Sequence, residues 1–235
     1  MSIAKNVADI RERIAAASRL AHRNADDVVL MGVSKTFPAT AIREAHAAGI
    51  RVFGENRVQE FSEKIPQLTD LQGAEWRLIG HLQSNKSAKA AELFHAVDTV
   101  DSLRLAERLN AAGASLNKIL DVLIEINIGG EDAKAGILPG SPELDEILLA
   151  TPRLDHLKIR GFMTIPPFAE NPEAARPYFR KLRELCDVTA ARHLPAVELD
   201  VLSMGMSHDY EVAIEEGSTC VRVGTAMFGA RGPKA

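Results

Sequence analysis

Short apolar runs alternate with helical segments along the whole sequence, and this alternation limits the possible folds more than any other property. Eight runs rich in β-branched residues occur, and a segment of helical character follows each of them. The runs are residues 28–33, 51–53, 76–79, 96–100, 122–127, 159–163, 199–202 and 220–223. Continuous apolar strands between amphipathic helices are typical of a parallel sheet covered by helices, so we predict an α/β fold.

The number of strand–helix units favours a closed barrel. Eight units within 235 residues fit a (β/α)8 barrel of the TIM type, and an open doubly wound sheet is the alternative that the same pattern allows. No linker rich in Gly, Ser or Pro divides the chain. We therefore expect a single domain over residues 1–235, with an amphipathic N-terminal helix at 2–22 and the barrel at about 28–230.

Net charge and cysteine content narrow the classes of function. The chain has 28 Lys and Arg against 32 Asp and Glu, a formal net charge of -4, so no overall basic field holds nucleic acid or anionic lipid. No apolar run approaches the roughly 18 to 20 residues that span a bilayer. Cys186 and Cys220 lack the spacing of a metal site and fit a reduced compartment. We expect a cytoplasmic protein without a bound metal that captures any anion locally.

The residues that follow the apolar runs are candidates for a functional site, because ligands of parallel barrels lie where strands end. Lys35 comes directly after the first run, where its amine would project into the barrel mouth. Burial lowers the pKa of an amine and supplies the neutral form that condenses with an aldehyde. A surface lysine at a strand end is the alternative interpretation. The candidates after other runs are Asn56, His81, Asn85, Lys134, Met163, Ser203 and Ser207.

Small residues after the seventh and eighth runs indicate a phosphate site. Barrel enzymes commonly bind phosphate between the loops that follow these two strands, where backbone N–H groups approach an anion closely. Ser203, Ser207 and Thr225 would add hydroxyl donors beside Gly224. Glycines at strand ends serve turns more often than ligands, so it is the position in the chain that favours a phosphate.

Arg222 lies inside the last apolar run, where a buried guanidinium requires an acceptor. A structural ion pair with a glutamate is one role that would satisfy it. Beside a pyridine ring, Arg222 would instead donate to the ring nitrogen and, because it is always charged, would leave that nitrogen unprotonated. Such a ring would be a poor electron sink.

Five motifs carry a resemblance that runs over almost the whole chain. They are Val33-Ser-Lys-Thr36, Gly54-Glu-Asn-Arg57, His81-Leu-Gln-Ser-Asn-Lys86, Ser203-Met-Gly-Met-Ser207 with Asp209, and Gly217-Ser-Thr with Val221-Arg-Val-Gly-Thr225. In these motifs the sequence resembles the pyridoxal phosphate homeostasis protein family, also called the proline synthetase co-transcribed family. That family is similar to the N-terminal barrel of alanine racemase, the third fold type of pyridoxal 5′-phosphate (PLP) proteins.

The resemblance implies PLP as the cofactor and a role for each motif residue. Lys35 would hold PLP as a Schiff base, and Arg222 would face the pyridine nitrogen. The phosphate would be bound by Ser203, Gly224 and Thr225. Further residues that would line the ring or the adjoining mouth are Asn56, His81, Asn85, Met163 and Ser207, and Lys134 is a second family-like lysine on a loop.

The residues favour a cofactor carrier over an enzyme. Racemisation needs acid or base groups on both faces of the substrate carbanion, and the sequence offers Lys35 without a clear partner opposite. We therefore expect a monomer that carries and buffers PLP for intracellular PLP homeostasis and passes it to PLP-dependent apo-enzymes. The alternatives are a PLP-dependent amino-acid racemase of low activity and, without the cofactor, a Schiff-base aldolase.

Overall fold

The strands form one closed parallel barrel in the order in which they occur in the chain. In the computed structural model, which describes residues 2–131 and 134–230, each strand pairs with the next and the last pairs with the first. The strands are β1 (Val29–Val33), β2 (Val52–Glu55), β3 (Glu75–Leu78), β4 (Ala96–Val100), β5 (Leu120–Glu125), β6 (Leu157–Met163), β7 (Val197–Met206) and β8 (Cys220–Val223). This closure confirms the predicted (β/α)8 barrel and excludes the open doubly wound sheet.

Helices alternate with the strands and cover the outside of the barrel. They are α1 (Ile3–Leu20), α2 (Ala39–Ala47), α3 (Val58–Lys64), α4 (Ser87–Leu93), α5 (Leu103–Ser115), α6 (Pro142–Ala150), α7 (Arg176–Ala190), α8 (Tyr210–Glu215) and α9 (Thr225–Phe228). The helix α1 precedes β1 and lies against α2, α8 and α9, where the barrel closes. Within residues 2–131 and 134–230, none of the helices is long and apolar enough to cross a membrane.

The amphipathic pattern of α1 explains how it attaches to the barrel. Ser2 caps the helix, because its hydroxyl accepts a hydrogen bond from the Lys5 N–H at 3.3 Å. Its aliphatic side chains are buried in the core between helices and barrel wall, where each contributes about 1.5 to 3 kcal/mol to folding. These side chains are Ile3, Val7, Ile10 and Ile14.

A 3-10 turn precedes the seventh helix. The Asn171 side chain accepts from the Glu173 N–H at 3.0 Å, but the turn it caps, Pro172–Ala175, is a 3-10 helix. The α-helix α7 begins only at Arg176. Pro177 explains the change, because it has no N–H to extend an α-helical ladder back into the preceding turn.

The pairing of β6 and β7 is irregular, so the side chains of these strands do not alternate strictly between the inside and the outside of the barrel. The register shifts between Ile159 and Gly161 and again between Ser203 and Met206. A Cβ on Gly161, whose φ is +152°, would lie 1.8 Å from the Val201 carbonyl oxygen, so only glycine allows this bulge. β7 is longer than the predicted run at 199–202, and it includes Ser203.

Charged side chains fill the lower half of the barrel, at the amino ends of the strands. The Arg77 guanidinium lies 2.8 Å from an Asp98 oxygen. Arg160 lies 2.9 Å from Asp121 and also pairs with Asp200. Arg77 and Asp98 are buried, whereas Arg160 and its partners are partly exposed. Because all these charges are paired with one another, the upper mouth is the better place for a ligand.

Candidate functional site

The closure of the barrel brings the first and last strands together at the upper mouth. Met31 in β1 pairs with Arg222 in β8, and Gly32 pairs with Val223. Lys35 is half-buried and follows β1 at its mouth end, and Gly224 follows β8 at the same end of the barrel. The predicted Schiff-base lysine and the predicted phosphate residues therefore lie at neighbouring strand ends, as ligand residues of a parallel barrel do.

A buried ion pair supports the turn that carries Lys35. The Ser34 hydroxyl donates to Glu55 Oε1 at 2.7 Å, and Lys64 Nζ reaches the same oxygen at 2.8 Å. Lys64 also donates to the Ser34 carbonyl oxygen at 3.2 Å. Burial raises the pKa of Glu55, and the ammonium of Lys64 and the Ser34 hydroxyl oppose that effect. The pair joins β2 and α3 to the backbone directly before Lys35.

The residue after Lys35 has a strained backbone. Thr36 has φ of +67°, a left-handed conformation that is uncommon for a β-branched residue. Its N–H donates to Glu60 Oε1 at 2.6 Å, and Lys64 lies 3.4 Å from the same oxygen. Strained residues persist where their surroundings hold them, and they cluster at functional sites. The network of Glu55, Lys64 and Glu60 thus fixes the turn.

Arg222 is buried and hydrogen-bonded to neutral acceptors. Its side chain donates to the Ser203 hydroxyl oxygen and to the Thr164 carbonyl oxygen, each at 2.7 Å. Burial lowers the pKa of the guanidinium from its ordinary value. In the part of the chain that the structure describes, no carboxylate lies within ion-pair distance of Arg222, so the structural ion pair considered from the sequence is not observed. Two hydrogen bonds leave other guanidinium donors for a ligand.

Backbone N–H groups converge on one oxygen between the loops after β7 and β8. The Ser207 hydroxyl oxygen accepts from the Gly224 N–H at 3.2 Å and from the Ala226 N–H at 3.4 Å. The Asp209 carboxylate holds the first loop, accepting from the Met206 N–H at 2.6 Å. Converging N–H groups form an anion cradle. It lies where the sequence analysis expected a phosphate.

The predicted phosphate residues differ in their surroundings. Ser203 is fully buried, and its hydroxyl contacts Arg222. Ser207 lies at the converging N–H groups, whereas Thr225 is exposed at the rim. Ser207, which follows the register shift, therefore contacts the backbone cradle, and Ser203, which precedes it, does not.

Asn56 presents an unsatisfied acceptor at the mouth. Its Oδ1 is buried and has no hydrogen-bond partner within the described parts of the chain. A Cβ on Gly80 would lie 2.2 Å from the Asn56 carbonyl oxygen, so the end of β3 packs directly on this backbone. A buried acceptor without a donor is costly, and it is satisfied when a ligand supplies the donor.

The remaining predicted residues are spread around the mouth. Met163 is fully buried at the end of β6. His81 is exposed at the rim, with Nδ1 3.3 Å from Asp101 Oδ2. Asn85 lies on an exposed 3-10 turn, and Lys134 pairs with Glu131 on the loop after β5.

Glu125 is a further candidate site residue, which its position inside an apolar run did not single out. It ends β5, which lies four strands from β1 in either direction and therefore opposite Lys35. Its Oε2 is buried and unpartnered within residues 2–131 and 134–230. Burial, reinforced by Asp101, raises the pKa of Glu125 to about 7, and electrostatic attraction to Arg222 opposes that rise only in part. A carboxyl inside an otherwise apolar run was the available signal in the sequence.

Glu125 should make the stability of the protein depend on pH. Its pKa rises from 4.5 to about 7 on folding, so the folded state keeps its proton longer and the free energy of unfolding falls as the pH increases across that range. A difference of about 2.5 pH units corresponds to about 3 kcal/mol. Glu125→Gln has no carboxyl to deprotonate and therefore does not lose this stability. The free energy of unfolding of the variant minus that of the native chain should increase between pH 4.5 and pH 8. Urea unfolding at both pH values measures it, and a constant difference would contradict the assignment.

Comparison with known proteins extends over nearly the whole chain. Residues 6–232 match the family model described as the N-terminal domain of alanine racemase. The pyridoxal phosphate homeostasis protein of Aquifex aeolicus is 46% identical over 231 residues, which cover 98% of this chain and 99% of that protein. The protein of the same name from Escherichia coli K12 is also 46% identical over 231 residues, 97% of each chain.

Solved structures agree with the fold. PipY of Synechococcus elongatus PCC7942 with PLP bound has a TM-score of 0.80 and 40% identity, covering 94% of this chain and 100% of that one. Alanine racemase of Clostridium difficile 630 has a TM-score of 0.75 at 14% identity, covering 98% of this chain and 58% of that one, so it shares the fold alone. The chain thus belongs to the pyridoxal phosphate homeostasis protein family, and its barrel is that of the alanine racemase N-terminal domain.

Proposed function

We propose that this chain binds PLP in the upper mouth of its barrel, with Lys35 as the Schiff-base lysine, and carries and buffers the cofactor for intracellular PLP homeostasis. The pairing of β1 with β8 carries the proposal, because it sets the end of the Lys35 strand beside the N–H groups that converge on Ser207. An amine and an anion cradle at one mouth match the aldehyde and the phosphate of PLP. The names of the relatives and the PLP in the PipY structure support the assignment.

The side chains of the mouth fit the chemical groups of PLP. The phosphate would accept hydrogen bonds from the Gly224 and Ala226 N–H groups in place of the Ser207 oxygen, and the Ser207 hydroxyl would then donate to the phosphate. Arg222, which has no carboxylate partner among the described residues, would donate to the pyridine nitrogen. Asn56 would accept from the ligand through its unpartnered Oδ1. The cofactor-binding set that we propose is Lys35, Asn56, Ser203, Arg222, Gly224 and Thr225, with Ser207, His81 and Met163 around it.

Arg222 favours holding the cofactor over catalysis with it. When bound, PLP supplies an aldehyde that condenses reversibly with a primary amine, and its ring withdraws electrons most strongly when the nitrogen is protonated. A guanidinium only donates hydrogen bonds and is always charged. Arg222 therefore gives the ring nitrogen no proton. This side chain supports a carrier, in which Lys35 binds the aldehyde reversibly.

A racemase of low activity is the second candidate, and the position of Glu125 opposite Lys35 favours it. We expect the carrier assignment to prevail, so the PLP-loaded protein should not interconvert D- and L-alanine. Chiral chromatography after prolonged incubation measures the conversion, and the absorption of the bound cofactor serves as the control for loading. Turnover at about 1 to 1000 per second, the usual enzymatic range, would establish the racemase instead.

Ser207→Ala should weaken the binding of PLP more than the binding of pyridoxal, which has no phosphate. Loss of one hydrogen-bonding hydroxyl at the cradle corresponds to about a threefold to tenfold loss of affinity. Fluorescence titration with the two ligands gives the ratio. Ser115→Ala, an exposed serine near the end of α5, is the matched control and should bind both ligands normally. An equal loss for PLP and pyridoxal would contradict the placement of the phosphate.

We further propose that the protein acts as a cytoplasmic monomer and hands PLP to PLP-dependent apo-enzymes. Exposure of His81 and Thr225 at the rim leaves the mouth accessible to a recipient. A Schiff-base aldolase is the weaker alternative, because its substrate would give Arg222 no ring nitrogen to contact.

A further inference from the structure

A cavity beside Glu125 adjoins the residues proposed to hold PLP and has no role in that binding. It has a volume of about 300 Å³. Its walls combine polar groups with aliphatic side chains. The lining residues are Glu125, Ile126, Asn127, Lys134, Ala135 and Ile165.

The other polar side chains of this cavity are paired. The Asn127 amide donates to the carbonyl oxygens of Glu131 and Lys134 at 2.9 and 3.3 Å, and its oxygen accepts from the Glu131 N–H at 3.2 Å. Lys134 forms an ion pair with Glu131 and donates to the Pro166 carbonyl oxygen at 3.3 Å. These groups are therefore engaged with the loop itself.

Glu125 differs from them. The residue is 8% exposed, and its Oε2 has no hydrogen-bond partner within the described residues. Among the described residues, the groups that act electrostatically on it form no ion pair with it: Arg222 and His81 attract the carboxylate, and Asp101 repels it. A buried carboxyl with an unsatisfied oxygen favours a donor that enters from the cavity, most strongly a cationic one.

We propose that Glu125 and this cavity bind a primary alkylammonium group, which thereby reaches the barrel mouth opposite Lys35. The carboxylate would accept the ammonium, and Ala135 and Ile165 would contact its aliphatic stem. A divalent metal ion would need several oxygen ligands, and the cavity offers one unpaired carboxylate among the described residues. Both a free amino acid and the lysine side chain of another protein carry the required group.

The inference rests on the proposed function, since it gives the bound ammonium a role in releasing PLP. Glu125 takes one proton from the ammonium, which becomes a neutral amine. The amine nitrogen would bond to the aldehyde carbon of PLP, which Lys35 holds as a Schiff base. The bond between this carbon and Lys35 Nζ would then break. The proton passes from Glu125 to the departing Lys35 amine, so one Schiff base is exchanged for another without oxidation or reduction. The pKa of about 7 suits Glu125 to both transfers.

The first experiment uses the protein without cofactor. In protein labelled with 13C-glutamate, the Glu125 side-chain carboxyl is assigned by its absence in Glu125→Gln and titrated with pH. L-alanine or Nα-acetyl-L-lysine amide should lower its titration midpoint by about one pH unit, as a nearby opposite charge does. Tetramethylammonium, which donates no hydrogen bond, should have a much smaller effect. An unchanged midpoint with both amines, or an equal effect of tetramethylammonium, would overturn the proposal.

The second experiment follows release of PLP from the loaded protein into a large excess of a trapping apo-enzyme. Either amine should accelerate release, and Glu125→Gln should reduce the amine-driven rate by about 100-fold, the lower range for loss of an acid–base group. Glu107→Gln, an exposed carboxylate on α5 away from the cavity, is the matched control and should retain the acceleration. Acceleration that survives in Glu125→Gln or is lost in Glu107→Gln contradicts the site.

The two amines identify the source of the ammonium group. A response to L-alanine alone supports a free amino acid, a response to the lysine amide alone supports a protein side chain, and a response to both supports the shared chemistry. Uptake of PLP is measured separately. A protein that takes up PLP without a response of Glu125 to amines refutes this inference alone, whereas a protein that takes up no PLP refutes the proposed function.

Discussion

Replacing Lys35 with alanine should abolish the covalent retention of PLP. The native protein, loaded with PLP and reduced with borohydride, should carry the cofactor permanently on a peptide that contains Lys35, because reduction converts a Schiff base into a stable amine. Lys35→Ala should carry none, so the labelled fraction falls from nearly complete to nearly zero. Binding through the cradle at Gly224 persists, but PLP then dissociates during gel filtration. Mass spectrometry and absorbance near the edge of the visible range measure both effects.

Lys134→Ala is the matched control for this experiment. Lys134 lies on the loop after β5 and is paired with Glu131, whereas Lys35 lies in the turn that follows β1, the strand that pairs with β8. The control should therefore keep the borohydride label on Lys35. A label found on Lys134 in the native protein, or retained in full by Lys35→Ala, would refute the assignment of the Schiff base.

Lys64→Met should cause the largest loss of stability among single substitutions near the site. Lys64 lies 2.8 Å from Glu55, whose side chain is completely buried, so its removal leaves an uncompensated charge in the barrel wall. Breaking a buried pair in this way costs about 3 to 5 kcal/mol. The pKa of Glu55 is already raised by burial and should rise further without Lys64, so the loss should be greater at pH 8 than at pH 5, where protonation relieves the charge. Chemical denaturation at both pH values measures the effect.

A matched lysine and a double substitution test the cause. Lys118 donates to the carbonyl oxygens of Ala91 and Phe94, so Lys118→Met should cost only about 1 to 3 kcal/mol, and that cost should vary little with pH. Adding Glu55→Gln to Lys64→Met should recover part of the lost stability. If the double variant is as unstable as Lys64→Met, the lost stability comes from the packing of the Lys64 aliphatic stem and not from the unpaired charge of Glu55.

The strands were predictable because apolar runs carry their own signal. Each of the eight runs overlaps an observed strand, and the closed order follows from their number and from the helices between them. Their ends were less certain. β7 extends to Met206, beyond the predicted end at residue 202. Its last part contains the small or polar residues Ser203 and Gly205, which do not look like strand residues in isolation.

The contacts within the site were not predictable, because they depend on which side of the wall each residue faces. A register shift between Ser203 and Met206 interrupts the alternation of inward and outward side chains, so spacing could not show that Ser203 contacts Arg222 while Ser207 meets the Gly224 N–H. Such shifts arise from bulges, which leave only weak traces in the sequence.

Long-range electrostatics were also invisible in the sequence. In α3, Lys64 occupies what looks like an ordinary helix terminus, and only the packing of that helix over the Ser34 turn buries it against Glu55. Glu125 looked like one polar residue in an apolar run. Its burial, with Oε2 unpartnered among the described residues, depends on packing that spacing does not show.

If the mouth holds PLP as proposed, the contact between the first and last strands also determines when, during synthesis, the chain could bind it. A growing chain that has not yet produced β8 already contains Lys35 but lacks Arg222 and the Gly224 N–H. Pairing β1 with β8 closes a loop that spans most of the sequence. The conformational entropy of this loop is lost before the final contacts form. Capture of PLP should therefore begin only when the ribosome has released the last strand, and cofactor retention becomes a marker of completed folding.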